Sequence, residues 1–110
     1  MRTWIAQMRK GLVELCVLAV LREREAYGYE VLQRLAEADS LAFGESTVYP
    51  VLARLAQDGM LRVRVAPSPN GPPRRYYRLT PLGAARLREM LSYWNEIQTE
   101  IAKLTKGDSE

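Results

Sequence analysis

The first hydrophobic pattern in the chain is helical and covers residues 4–22. Its apolar positions recur every three or four residues at the start, which is the spacing of one helix face. Through residues 15–21 the pattern becomes apolar on nearly every side, as in a helix buried in a core. After a short turn, the stretch YEVLQRLAEA at residues 29–38 repeats apolar positions with helical spacing and predicts a second helix.

A third helix is predicted in STVYPVLARLAQDG, residues 46–59. Its apolar side chains share one face, and Gly59 is a residue that commonly ends a helix in a left-handed conformation. Pro50 lacks a backbone N–H and is tolerated in the first turn, so we expect the N-cap at Ser46 or Thr47. The face opposite the core is uncharged at its centre and cationic at one edge.

The next two patterns have the two-residue period of strands. MLRVRVA, residues 60–66, alternates apolar residues with arginines, and RRYYRLT, residues 74–80, places Tyr77 and Leu79 on one face and two arginines on the other. The four prolines of residues 67–73 predict that the tip between them is a loop. We expect a β-hairpin with an apolar side against the helices and an arginine side that meets another molecule.

A last helix is predicted from Pro81, with Thr80 as its N-cap. A helix from Pro81 to Leu104 is about 36 Å long, which is more than a small globular part can cover. Its apolar residues are spaced alternately three and four apart, the pattern of a coiled-coil seam. They are Leu87, Met90, Trp94, Ile97, Ile101 and Leu104. We therefore expect the outer half to pack on the same helix or the N-terminal helix of a second copy.

Composition narrows the chemistry of this chain. Its 110 residues correspond to one domain, and no apolar run approaches the roughly 20 residues of a membrane span. The N-terminus lacks the apolar core of a signal peptide, so we expect a soluble, cytoplasmic protein. With no histidine and Cys16 as its single cysteine, the chain lacks the usual zinc ligands and a base for a nucleophile. We predict no enzyme activity, no metal and no cofactor.

The charge is distributed unevenly along the chain. Residues 54–88 contain eight arginines and one acidic residue, although the formal net charge of the whole chain is only +3. Guanidinium is planar, permanently charged and donates hydrogen bonds in pairs, so this concentration favours phosphate recognition. The alternative is a solvated face that keeps the protein soluble.

The order of the elements predicts the fold class: mainly α with a β-hairpin wing, which is a winged helix-turn-helix followed by a long C-terminal dimerisation helix. In this fold the third helix enters the major groove of DNA and the hairpin lies along the backbone or the minor groove. We assign residues 1–80 to the DNA-binding domain, with residues 1–10 also contributing to the dimer. Residues 81–110 form the dimerisation helix.

Four stretches, in their order and spacing, resemble the PadR family of bacterial transcriptional regulators. They are KGLVELCVLAVL, YGYEVLQRL, GESTVYPVLARLAQDGML and GPPRRYYRLTPLGAARL. The resemblance covers about residues 8–94, and the single C-terminal helix is similar to that of the shorter subfamily. It implies a homodimeric regulator, usually a repressor, that binds a roughly palindromic operator in double-stranded DNA. It also implies release when a small effector, often aromatic or cationic, binds.

The resemblance places candidate residues on the recognition helix, on the wing and at the start of the second helix. The predicted DNA-binding residues are Tyr27, Ser46, Thr47, Tyr49, Arg54, Arg74 and Arg75. The predicted dimer interface consists of Ile5, Met8, Leu87, Met90, Trp94, Ile97, Ile101 and Leu104. Trp94, in the middle of the seam, is also the candidate effector contact, by stacking and cation–π attraction.

Several alternatives remain open at the level of sequence. Tyr49 could be a surface aromatic that packs on a neighbouring turn, and Trp94 could simply fill the interface. The whole domain could be a winged helix used only for protein association, in which the arginine wing meets an acidic partner. Ala53 stands where members of the resembling family often carry lysine or arginine, so the base sequence that is read stays undetermined.

Overall fold

The computed structural model confirms the predicted fold class, with helices and a hairpin wing built on a common core. It describes residues 2–106, so Met1 and residues 107–110, which the predicted domain ranges include, lie outside the described part. The elements are α1 (Arg2–Leu21), β1 (Ala26–Tyr27), α2 (Gly28–Ala36), a 3-10 helix (Asp39–Leu41), α3 (Glu45–Gln57), β2 (Leu61–Ser68), β3 (Gly71–Leu79) and α4 (Pro81–Leu104).

The core forms where the apolar faces of the helices meet the inner face of the sheet. The second half of α1 is its centre, as the sequence predicts, because Val17 and Leu18 are fully buried. Val31 from α2, and Val48 and Leu52 from α3, are also fully buried against it. Burial raises the pKa of the Cys16 thiol above its ordinary value. A protonated thiol is a weak nucleophile, so Cys16 is a packing residue.

Helix α3 begins earlier than predicted. The N-cap is Gly44, whose carbonyl accepts the N–H groups of Thr47 at 3.1 Å and Val48 at 3.0 Å. The prediction of an N-cap at Ser46 or Thr47 is therefore wrong, and Pro50 lies inside the helix rather than in its first turn. Because Val48 is fully buried in the turn that precedes Pro50, core packing holds that turn helical despite the missing N–H.

The sheet has three strands in the order β1, β3, β2, all antiparallel. Strand β1, which pairs Ala26 with Tyr77, was not predicted, because two residues are too few to show a period. The predicted loop of residues 67–73 is also wrong, since both strands continue until Ser68 pairs with Gly71, with an irregularity between Ala66 and Ser68. Such an irregularity lets a strand contain a proline, which cannot donate to the ladder.

Helix α4 begins as predicted and then leaves the core. The hydroxyl of Thr80 accepts the N–H of Gly83 at 3.1 Å, which confirms Thr80 as the N-cap. Leu87 is 2% exposed within the single chain, so its predicted place in a dimer interface is wrong and it belongs to the core. Farther along, Ile101 is exposed. The radius of gyration is 16.3 Å, whereas a compact domain of this length has about 13 Å, because α4 protrudes.

Candidate nucleic-acid interface

A groove of about 730 Å³ lies between the start of α2, the exposed face of α3 and the outer part of the wing. Four of the predicted DNA-binding residues line it: Tyr27, Tyr49, Arg74 and Arg75. They come from three elements that are distant in sequence, and the fold brings them to one concave surface. The groove is therefore the place where the predicted recognition helix and the predicted wing face a common ligand.

Tyr49 reaches this groove across the start of α2. A Cβ atom at Gly28 would lie 2.8 Å from Cε1 of Tyr49, so the absence of a side chain at Gly28 lets the ring pack there. Burial, followed by the charge of Glu45, raises the pKa of the Tyr49 hydroxyl. The hydroxyl therefore stays protonated at neutral pH and can both donate and accept a hydrogen bond. The alternative that Tyr49 packs on a neighbouring turn agrees with the position of the ring, but Tyr49 is still 39% exposed.

Aromatic and cationic side chains form a continuous row on the outer face of the sheet. The guanidinium of Arg74 lies 4.3 Å from the ring centre of Tyr27, and that ring meets Tyr76 edge-on at 5.5 Å. On the other side, Arg64 lies 4.8 Å from the Tyr76 ring. Contacts between cations and rings hold the guanidinium groups in place without neutralising them. Arg74 is thus presented to the groove with its charge intact.

Arg64 at the inner end of this row is neutralised. It donates a hydrogen bond to Oε1 of Glu25 at 2.5 Å. The pKa of the Glu25 carboxyl is lowered, first by this hydrogen bond and then by the charges of Arg64 and Arg78. Glu25 directly precedes β1, so the pairing of this unpredicted strand with β3 also positions the carboxylate that forms the ion pair with Arg64.

Ser46 and Thr47 lie in the first turn of α3, outside the set of residues that line the groove. Ser46 is exposed and Thr47 is half-buried. The N-terminus of a helix carries a partial positive charge, which suits contact with a phosphate. Glu45 occupies the first helical position and adds a negative charge at this end.

Arg54 does not face the groove. Its guanidinium donates to Oε1 of Glu14 at 3.0 Å and lies 3.8 Å from the carboxylate of Asp58. The other oxygen of Glu14 accepts a hydrogen bond from Arg86 at 2.8 Å. One carboxylate of α1 thus joins the recognition helix to α4. Within the single chain two carboxylates thus lie beside Arg54 while its side chain is half exposed, and its place among the DNA-binding residues stays a prediction.

Four of the eleven residues that line this groove were predicted as DNA-binding residues, and the other seven were not. Gly28 and Tyr29 line the groove from the start of α2, and Asn70 lines it from the turn of the wing. Tyr29 is 53% exposed. The motif YGYE carries a signal for it, because a second tyrosine at the start of an amphipathic helix stands on the polar side. The contribution of Gly28 has no signal in sequence, since it depends on where the Tyr49 ring lies.

A second groove, of about 460 Å³, lies between α1 and α4. Met90, Trp94 and Ile97 line it from α4, together with Leu12 and Leu15 from α1. Trp94 is half-buried there, whereas Trp4 and Met8 on α1 are more than half exposed. The structure therefore places Trp94 in a concave surface that is mostly apolar, with Arg86 and Glu89 also in its walls.

The comparison with families of known function decides the identity. Residues 17–89 match the model of the transcriptional regulator PadR-like family. This chain belongs to that family. PadR-like proteins are DNA-binding transcriptional regulators with the winged-helix fold seen here, so the resemblance drawn from the sequence is confirmed. The matched family is one of transcriptional regulators.

Individual PadR-like relatives match over nearly the whole chain. The transcriptional regulator Rv3488 of Mycobacterium tuberculosis is 32% identical over 97 residues, which cover 86% of this chain and 87% of that protein. A solved PadR family regulator from Eggerthella lenta has a TM-score of 0.85 and 32% identity, and the match covers 94% of this chain and 89% of the other.

A more distant PadR structure was solved with DNA. PadR of Bacillus subtilis, in complex with operator DNA, has a TM-score of 0.69 and 24% identity over 73% of this chain and 46% of its own. At this identity the likeness shows the fold alone.

Among the helices of residues 2–106, none combines the length and the hydrophobicity that a membrane-spanning helix requires.

Proposed function

We propose that this protein is a ligand-responsive repressor that binds a palindromic operator as a homodimer. The observation that carries the DNA-binding part is the single groove into which Tyr49 of α3 and Arg74 and Arg75 of the wing converge. A face of uncharged, hydrogen-bonding side chains beside unneutralised arginines is the combination that reads base edges and grips phosphates at once.

The recognition helix and the wing have different roles in this proposal. Ser46, Thr47 and Tyr49 enter the major groove and contact base edges, because they occupy the start and the outer face of the recognition helix. Arg74 and Arg75 contact phosphates or the minor groove. Tyr27 supports Arg74 through the ring contact at 4.3 Å. In the proposed complex its hydroxyl faces the DNA backbone.

The test begins with an operator selected from a pool of random duplexes. Operator and random DNA are then titrated over a range of salt concentrations with wild type and with Arg74→Gln/Arg75→Gln. The double variant should weaken binding to both duplexes about equally and reduce the salt slope by up to about 2 per subunit, because phosphate contacts release counterions. Lys10→Gln/Arg88→Gln removes two charges elsewhere and should leave the slope nearly unchanged.

Tyr49→Ala tests the base-reading part separately. It should narrow the affinity gap between operator and random DNA by about tenfold and leave the salt slope as in wild type, because a lost base contact costs about 1–3 kcal/mol. Equal loss on both kinds of DNA would contradict the assignment. If the wild type binds no duplex even at low salt, the domain is a protein-association module instead.

The homodimer part of the proposal is supported by apolar side chains left exposed on α1 and α4. Ile5 and Met8 are 42% and 56% exposed, and Ile101 and Leu104 are 54% and 83% exposed. Water-exposed side chains of this kind in a coiled-coil spacing favour a second copy as their partner. We therefore retain Ile5, Met8, Met90, Trp94, Ile97, Ile101 and Leu104 as interface residues.

The ligand-responsive part rests on the groove between α1 and α4. A flat aromatic or cationic guest that stacks on Trp94 would change how the two helices lie, and with them the spacing of the recognition helices in the dimer. Tryptophan fluorescence during titration with planar cationic dyes tests this. In the wild type, the dyes should quench the tryptophan fluorescence and release the protein from the operator. In Trp94→Ala the dyes should have neither effect. Dye-induced release that is unchanged in the variant would contradict the assignment.

A further inference from the structure

A cluster of arginines lies at the base of the wing, away from the proposed DNA groove. Arg22 follows α1, Arg62 lies on β2 and Arg78 lies on β3, and together they line a concave surface of about 570 Å³. Thr80 and Pro81, which begin α4, form another wall. Nothing in the proposed operator contact uses these three arginines.

The two strand arginines face each other. Arg62 and Arg78 are direct partners in the antiparallel register of β2 and β3, so their side chains project from the same face of the sheet. Like charges in this arrangement destabilise a sheet. Two residues along, Arg64 is compensated by Glu25. Within residues 2–106, no carboxylate lies within ion-pair distance of Arg22, Arg62 or Arg78.

The start of α4 adds to the positive potential of this surface. The helix is 24 residues long, and its first turn is capped by Thr80. The N-terminus of such a helix carries a partial positive charge that favours an anion. Within residues 2–106 the three arginines form no ion pair, although Glu25 is near enough to interact with the charge of Arg78. Together with the helix end, they favour a negatively charged group at this surface.

We propose that this surface binds phosphate groups, with Arg62 and Arg78 as the principal ligands and Arg22 beside them. Guanidinium groups match phosphate because they donate hydrogen bonds in parallel pairs. The remaining walls, Leu79 and Ala84, offer no aromatic ring on which a base could stack. The site therefore recognises the charge of a phosphate or pyrophosphate group rather than a nucleobase.

Such a phosphate has two sources. Arg78 lies four residues beyond Arg74 on β3, about 13 Å along the strand at about 3.3 Å per residue, so the site lies beyond the proposed operator contact. The phosphate belongs either to a small phosphorylated molecule or to the DNA backbone that flanks the operator. The chemistry of the contact is the same in both.

Inorganic pyrophosphate is the probe for the site itself. Titration by calorimetry and by thermal unfolding, against sodium chloride of matched ionic strength, should show saturable binding to the wild type. Arg62→Gln and Arg78→Gln should each weaken this binding by at least about tenfold, since each removes a charge-assisted hydrogen-bond donor to the phosphate. Lys10→Gln, which removes one charge far along α1, should bind as wild type does.

Arg62→Gln also separates binding from folding. Without the probe and at low salt, this variant should unfold at a temperature no lower than that of the wild type, because it removes one of two opposed like charges. A loss of pyrophosphate binding then reports the site and not the fold.

Operator duplexes with and without flanking DNA distinguish the two sources. If the flanks are the ligand, Arg62→Gln/Arg78→Gln should lower the salt slope by about 1 per arginine on the long duplex only. If a small molecule is the ligand, the double variant should lose pyrophosphate affinity while its salt slope on both duplexes stays as in the wild type. The proposal is overturned if neither pyrophosphate affinity nor the slope depends on these arginines. The pyrophosphate result is independent of the proposed operator binding.

Discussion

Gly28 is a residue whose missing side chain shapes the proposed DNA-binding groove of the protein. It begins α2, and the Tyr49 ring occupies the space where its Cβ would be. The role of Tyr49 therefore depends on a residue that makes no hydrogen bond to it. In the proposed operator contact, part of the recognition surface therefore lies on α2, although Tyr49, the proposed base-reading residue, belongs to α3.

Gly28→Ala should move the Tyr49 ring and weaken operator binding several-fold. Stability should change by less than about 1 kcal/mol, since alanine favours helix more than glycine does and offsets the contact. Operator affinity and urea unfolding of the same variant measure the two effects. Gly11→Ala, which adds a Cβ inside helix α1 where nothing lies within 4 Å, is the matched control. Unchanged operator affinity would show that the ring position is unimportant.

Gly83 is tightly packed for a different reason. A Cβ there would lie 2.1 Å from the carbonyl oxygen of Met60, which is backbone and cannot rotate away. Gly83→Ala should destabilise the protein by about 2–4 kcal/mol, because α4 must shift away from Met60. Gly11→Ala has open space and should be neutral or slightly stabilising. Urea unfolding measures both, and equal midpoints would contradict this packing.

At the scale of elements, Glu14 is the contact that joins three helices. Its two oxygens bind Arg54 of α3 and Arg86 of α4, and its side chain is only 18% exposed. Arg86 also lines the groove that contains Trp94. The carboxylate therefore connects the wall of the proposed effector groove with the recognition helix.

Glu14→Gln removes the charge and keeps the shape. It should destabilise the protein by about 0.5–1.5 kcal/mol, because each arginine is about half exposed and such pairs contribute little individually. A double-mutant cycle with Arg86→Gln should give a coupling of about 0.5 kcal/mol or more. Glu100→Gln, whose partner Lys103 lies 3.9 Å away and is largely exposed, should change nothing measurable. A coupling of zero would show that the pair is not formed in solution.

At the scale of the whole molecule, the protruding part of α4 carries exposed apolar side chains of the proposed dimer interface. The molecule extends over 59 Å in its longest direction and 20 Å in its shortest. Leu87 is used inside the chain, so the seam available to a partner begins at Met90, one turn later than the spacing alone suggests.

Ile97→Glu/Ile101→Glu should convert the proposed dimer into a monomer with much weaker operator binding. Charged residues in a coiled-coil seam oppose association, and one recognition helix alone reads only half of a palindrome. Sedimentation at micromolar concentration measures the mass of the particle. Asn95→Glu/Thr99→Glu adds the same charge on the outward face and should remain dimeric. A wild type that sediments as a monomer would sink the homodimer proposal.

The elements and their faces follow from the sequence because periodicity is local. The bounds of α4, its cap at Thr80 and the burial of α1 were predicted correctly, since each depends on residues within a few turns. The start of α3 was not, because burial of Val48 outweighs the preference of Pro50. Strand β1 was missed because its hydrogen bonds come from a strand about 50 residues away.

The sequence by itself determined the family, the winged-helix fold and the concentration of arginine on and around the wing. The tertiary structure alone decided what each arginine does. Arg54 and Arg86 pair with Glu14, which is 40 and 72 residues away in sequence, and Arg64 pairs with Glu25, which is 39 residues away. Arg74 instead packs over the Tyr27 ring, a contact that does not neutralise its charge. Local sequence sets where a charge stands along an element, but neutralisation depends on which distant side chain the fold brings within a few ångströms.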